Sequence, residues 1–298
     1  MFWRLVLCVT LLCFSSFSGV LMAWGLEVHR LITARAIDLL PPDMQPFYQK
    51  HRMTIVEHSI DPDLWRNAGF SDEPPRHFLD LDAFGAYPFS SLPRDYHAAV
   101  RKFGVRRLQK EGLLPWRTAE IYEKLLQAFQ RQKEGRSPYS LDDIKFFSSV
   151  ISHYVSDAHV PFHATSNYDG QLTQQDGIHF RFETELVLRN WDRINLQPQP
   201  LYSVVSARDT SFENLLQSFQ AVRPILEADR KAIQGRSEYD DAYYESLFEQ
   251  THVLLEKQLN QAAASVASHL VSAWEAAGKP SLPTDPPARV HRVLRPKK

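Results

Sequence analysis

Cysteine is nearly absent, with two in 298 residues, Cys8 and Cys13, both close to the amino terminus. No disulfide can hold the body of the chain together, and no cysteine nucleophile is on offer there. Glycine is scarce as well, 11 residues, beside 19 prolines, and 44% of the chain is hydrophobic. Collagen-like, low-complexity and wholly disordered chains are thereby excluded. An excess of charge of either sign is also missing, since 34 Lys and Arg face 35 Asp and Glu. Such a balance argues against gripping duplex nucleic acid or an anionic membrane by bulk charge alone. A polyanionic partner would need local positive charge from another source.

Long apolar runs are confined to the first segment. Residues 1–23 carry one basic residue, Arg4, then an apolar stretch from Leu5 to Phe14, then small residues ending at Ala23. This pattern reads as a secretory signal, with a membrane anchor as the competing reading. The expectation is cleavage after Ala23, a mature chain starting at Trp24 without a transmembrane span, and a secreted or periplasmic location. Pro and Arg dominate from Lys279 onward, so 279–298 is expected to be a disordered, basic tail, leaving 24–278 as one domain.

Within 24–278, apolar residues recur at steps of three and four. Val28, Leu31, Ile32 and Leu39 mark one stripe, ended by Pro41 and Pro42. Ile121, Leu125, Ala128 and Phe129 mark a second, and Leu215, Phe219, Val222 and Leu226 a third. The longest comprises Leu255, Leu259, Ala262, Val266, Leu270 and Ala273. Alternating strand patterns and internal repeats are lacking, so an all-α, single-domain helical bundle is expected. Two stretches, 67–93 and 164–177, read as long loops, which in compact helical domains tend to carry function.

The chemistry lies in the spacing His153-x3-Asp157-x5-His163-x15-His179-x3-Glu183. Residues four apart on a helix share a face, and Val150 and Tyr154 turn that face inward. Imidazoles and carboxylates converging from inward faces suit a cation such as zinc, whereas a carboxylate buried without a partner is costly. A set of ordinary polar pairs on helix surfaces is the weaker alternative. Upstream, His29, Asp63 and His77 are further candidates, although spacing alone leaves each open as a buried polar, turn or loop residue.

These motifs, with Trp24-Gly25-x3-His29 and His77-Phe78-Leu79-Asp80, resemble the bacterial zinc-dependent phospholipases C and the related single-strand-specific zinc nucleases. The resemblance spans nearly all of 24–278. It implies three zinc ions: one on Asp63, His77, His153 and Asp157; a second on His163, His179 and Glu183; a third on Trp24, His29 and the other oxygen of Asp157. It further implies hydrolysis of a phosphate ester by water acidified between the ions, with Asp63 as the base that orients it. Asp61 is the alternative to Asp63. The substrate is a phospholipid, split as by a phospholipase C, or single-stranded nucleic acid or a 3′-nucleotide; no stable partner protein is implied. Glu183, and the short interval from His163 to His179, are phospholipase-like, whereas the segments around Trp24 and His77 look like the nucleases. Phe78, Phe84, Phe162 and Tyr168 are candidates to stack a base or line a lipid cleft, or are plain core and loop aromatics.

Overall fold

The computed structural model describes residues 25–65 and 67–284. The expected cleavage site, the segment 1–23 and Trp24 lie outside the described residues, as do 285–298 of the tail. The architecture is all-α, and the described residues contain no strand beyond one isolated bridge between Leu79 and Gly112.

In chain order, α1 spans Leu26–Asp38, α2 Gln45–Lys50, α3 Arg52–Glu57 and α4 Asp61–Trp65. After an irregular stretch come α5 (Tyr96–Phe103), α6 (Val105–Glu111), α7 (Leu114–Glu134) and α8 (Ser140–Asp157). A second irregular stretch leads to α9 (Ile178–Phe180), a π-turn over Arg181–Glu185 and α10 (Leu186–Arg189). The long helices α11 (Ala207–Ile233) and α12 (Asp241–Ala276) complete the bundle.

Local chemistry explains the boundaries. The side chain of Ser206 accepts from the Asp209 N–H to start α11, and Asp240 accepts from Tyr243 to start α12. Pro115 lies in the first turn of α7, where its missing N–H costs nothing, and Gly135 ends that helix in the left-handed conformation. Pro224 sits inside α11 on an exposed face, where water can serve the carbonyl it leaves unbonded. The expected stripes fall largely on the buried faces of α1, α7, α11 and α12, with Leu31 and Phe219 partly buried and Leu39 just beyond the end of α1.

Helix α8 runs through the middle of the bundle, packed against α1, α7 and α12. Every residue from Ser148 to Asp157 is buried, so the helix has no solvent face in its second half. Small residues make that possible. Ser149, Ser152 and Ser156 turn their hydroxyls back onto carbonyls of the preceding turn, so none carries an unpaired donor into the core.

The tail begins inside the fold rather than free of it. Trp274 Nε1 donates to the Pro280 carbonyl at 2.9 Å, Gln132 donates to the Ser281 carbonyl, and Leu282 packs on the core. Burying apolar contacts and satisfying an indole N–H outweigh the cost of ordering these few residues.

Candidate metal centre

Each ligand candidate is delivered by a different piece of this frame. His153 and Asp157 project from the last turns of α8, and His29 from α1 stacks on the His153 ring at 4.0 Å between centroids. Asp63 comes from the short α4, and His77 directly follows the 3₁₀ turn Pro74–Arg76 within the first irregular stretch. His163 follows α8 in a 3₁₀ turn, Pro161–Ala164. His179 and Glu183 face each other across the junction of α9 with the π-turn.

The donors converge. Asp63 Oδ1 lies 3.6 Å from His77 Nδ1 and 3.6 Å from His153 Nε2. His77 Nδ1 is 3.0 Å from His153 Nε2 and 3.1 Å from Asp157 Oδ2, and His153 Nε2 is 3.4 Å from the same oxygen. A tetrahedral cation with donors at about 2.0–2.1 Å separates them from one another by about 3.4 Å. These separations cluster around that edge.

Hydrogen bonding alone does not satisfy the group. His153 Nδ1 lies 2.9 Å from the Ser59 carbonyl, which assigns its proton there and leaves the Nε2 lone pair aimed inward. His77 Nδ1 carries at most one hydrogen, yet it faces an imidazole nitrogen and two carboxylate oxygens. A divalent cation meets all of these lone pairs at once.

The two oxygens of Asp157 face opposite ways. While Oδ2 belongs to the group just described, Oδ1 lies 3.4 Å from His29 Nε2 and 3.6 Å from His163 Nδ1. Neither ring nitrogen of His29 makes a hydrogen bond, nor does Asp157 Oδ1. A third set joins His163, His179 and Glu183, all buried, with His179 Nε2 2.8 Å from Glu183 Oε2. Both ring nitrogens of His179 and both oxygens of Glu183 lack a well-formed hydrogen bond. Orphaned buried polar atoms in such number call for a ligand. The set of nitrogen and oxygen donors without sulfur fits zinc or a similar divalent cation.

The electrostatics are mixed: against burial, the neighbouring carboxylates push His77 and His179 up, toward the protonated form, whereas other groups are set for ligation. Burial drives His153 well below the ordinary imidazole range and pushes His163 down to about 3, so both rings are neutral and free to ligate. Burial also works against charge on Asp157, yet its polar surroundings, with His77 at hydrogen-bond distance, hold it well below the usual carboxylate range. Burial pushes Glu183 up, with His179 opposing, as expected for a carboxylate awaiting positive charge.

Of the nine candidates from the sequence, eight are brought together; Trp24 lies outside the described residues. Its neighbour Gly25 is buried against Thr184, which follows Glu183, and donates its N–H to Thr184 Oγ1 at 3.2 Å. Asp63, and not Asp61, reaches the cluster, because Asp61 pairs with the exposed His58 at 2.9 Å.

A cavity of about 450 Å³ opens beside Asp63, His77, His163 and His179. Pro62, Pro74, Phe78, Phe162 and Tyr168 give it apolar walls, while Asp80, Lys110 and Glu111 are charged residues lining it. Burial, with Asp82 and Glu111 nearby, pushes Asp80 up to about 7. Phe84 is a buried core residue and does not line the cavity.

Two supports escaped sequence reasoning. Glu73, 1% exposed, accepts from the Tyr154 hydroxyl and from Arg76, and lies 3.7 Å behind His77 Nε2. It sits four residues before His77, the same spacing that marked the other pairs. Arg181, between His179 and Glu183, is bound to buried Asp229 at 3.2 Å and to Tyr243 at 3.0 Å. No short-range signal links residues so far apart in the chain. No protein-family model matches this chain, and no curated protein matches it.

Proposed function

We propose that this chain is a secreted or periplasmic, zinc-dependent phosphodiesterase of the phospholipase C kind, related to the zinc phospholipases and nucleases that its motifs resemble. The observation that carries the reading is Asp157, wholly buried, with its two oxygens directed at separate imidazole sets beside a cavity of mainly apolar wall. Zinc bound there supplies a Lewis acid for a phosphoryl oxygen and lowers the pKa of water toward neutrality.

The chain's own residues do the rest. Asp63, at the cavity edge, is placed to accept a proton from attacking water and to orient it. Phe78, Phe162 and Tyr168 hold the apolar part of an ester against the wall and keep bulk water away from the scissile bond. With phosphatidylcholine the glycerol–phosphate bond breaks, water adds, and diacylglycerol and the phosphorylated head group are released.

Tyr168, 40% exposed at the cavity, favours a second reading, in which a nucleobase stacks on its ring and single-stranded nucleic acid is cleaved at the same centre. A parallel assay separates the two: phosphatidylcholine vesicles, single-stranded DNA and a 3′-nucleotide, each with and without chelator. Chelator-sensitive release of diacylglycerol is expected. Cleavage of DNA or of the nucleotide alone retires the lipid reading, and turnover indifferent to chelator retires both.

A further inference from the structure

Among its described residues, the near-neutral chain carries a dense block of positive charge in α5 and α6. Between Tyr96 and Lys110 stand Arg101, Lys102, Arg106, Arg107 and Lys110, with no Asp or Glu among them. This block forms the hairpin of α5 and α6, joined by Gly104 alone. All five cations are exposed. Among the described residues, Arg101, Lys102, Arg106 and Arg107 form no ion pair, and only Lys110 has one, with Glu111 at 2.8 Å.

The tip of the hairpin combines this charge with exposed aliphatic surface. Val105 is 44% exposed between Gly104 and Arg106, while Lys102 donates to the Ser91 carbonyl and Arg107 to the Ala83 carbonyl, each at 2.6 Å. The aromatic rings nearby are already covered. Phe103 packs edge-on to Phe84, Arg107 lies over both rings, and Lys102 lies over Phe103. An aliphatic tip beside exposed arginines, without a free aromatic face, suits lipid head groups better than unstacked bases.

The hairpin is also fastened to the metal centre. The Asp80 N–H donates to the Glu111 carbonyl at 2.7 Å, and the Leu114 N–H to the Phe78 carbonyl at 3.2 Å. A side chain at Gly112 would sit 2.1 Å from the Phe78 carbonyl oxygen, so the end of α6 lies against the segment that carries His77. Lys110 and Glu111 themselves line the cavity.

We propose that the α5–α6 hairpin docks on an anionic lipid surface, with Val105 at the head-group level and Arg101 and Arg106 on acidic lipids, so that the cavity beside it meets the leaflet. The sense of this docking as substrate capture rests on the phospholipid reading above, but the docking itself is measured without turnover. Each surface cation contributes about 1 kcal/mol at an acidic leaflet, which is about fivefold in partitioning.

The test is co-sedimentation of the zinc-loaded full chain with sucrose-filled vesicles of phosphatidylcholine, with and without phosphatidylserine. Binding is expected to rise with the acidic lipid and to fall as salt increases. The paired variant R101Q/R106Q should bind the acidic vesicles about 30-fold more weakly. Val105→Asp should weaken binding further, with melting curves of both variants matching the parent. Equal binding to neutral and acidic vesicles, or an unaltered R101Q/R106Q, overturns the proposal; so does a single-stranded oligonucleotide that displaces the vesicles through the same arginines. Hydrolysis of a soluble short-chain phosphatidylcholine should be the same in R101Q/R106Q as in the parent. A parent chain that leaves this lipid intact refutes the phospholipase reading while the vesicle result stands on its own.

Discussion

Replacing Arg181 by methionine removes the guanidinium that anchors the π-turn between His179 and Glu183. Arg181 donates to Asp229 at 3.2 Å, to Tyr243 at 3.0 Å and to the Asp176 carbonyl at 2.7 Å, and lies 3.8 Å from the centre of the Tyr239 ring. Deleting one partner of a buried ion pair costs about 3–5 kcal/mol, because the other charge is left in the core. Here Asp229 keeps Gln175 Nε2 at 2.6 Å and the Tyr243 hydroxyl. The lower end, about 3 kcal/mol, is therefore expected for R181M, a fall in Tm of about 6–12 °C for a domain of this size. Replacing both partners, R181M/D229L, should restore most of the loss, since no buried charge remains. The second readout is metal. Residues that orient a ligand change metal affinity by about 10–100-fold, so R181M should weaken one zinc site by that factor and spare the rest. Chemical denaturation and competitive zinc titration measure the two effects separately. A loss under about 1 kcal/mol, or equal weakening of every zinc site, refutes the account of Arg181.

Metal analysis of the intact protein should find close to three zinc ions per chain, with Asp157→Asn losing two and Glu183→Gln one; full occupancy in both variants would falsify the shared role of Asp157. Gly112→Ala should destabilise by about 1–3 kcal/mol from backbone strain alone, because φ +105° and ψ 157° are all but closed to other residues. The collision with Phe78 adds to this loss, and a Tm unchanged in that variant contradicts the close approach. Burial pushes His269 down to about 4, so the unfolded chain takes up a proton there between about pH 6.5 and 4 while the folded chain does not. Its contribution is complete above pH 6.5 and falls as the solution is acidified. His269→Leu should therefore recover about 2 kcal/mol relative to the parent at pH 5 compared with pH 7, read from urea melts, and parallel pH profiles would refute it.

The helical frame was legible because its signals are local. The stripe from Leu255 to Ala273 needs only the period of a helix to be read, and α12 buries that face. The same holds for the pairs His153–Asp157 and His179–Glu183, where four residues of separation place two donors on one side. The meeting of His29, Asp63 and His77 with those pairs was not legible from spacing, because it depends on how α1, α4 and the first irregular stretch pack against α8. The family resemblance supplied that grouping; in the structure His153 stands close to His29 and Asp157 as well as to Asp63 and His77. Arg181 and Asp229 are 48 residues apart with nothing between them to suggest contact. The basic block from Arg101 to Lys110 was visible in the letters but lost in a whole-chain charge near zero.

The bond between the Gly25 N–H and Thr184 Oγ1 spans 159 residues. Contacts so distant along a chain close late in folding, after their loop-entropy cost has been met by more local packing. His29 waits, during synthesis, for α8 with His153 and Asp157 to emerge, and Gly25 for the segment bearing His179 and Glu183 to swing back. The described donor sets are complete only once the chain has been made as far as Glu183, so full metal capture becomes a marker of assembly up to that point rather than its trigger.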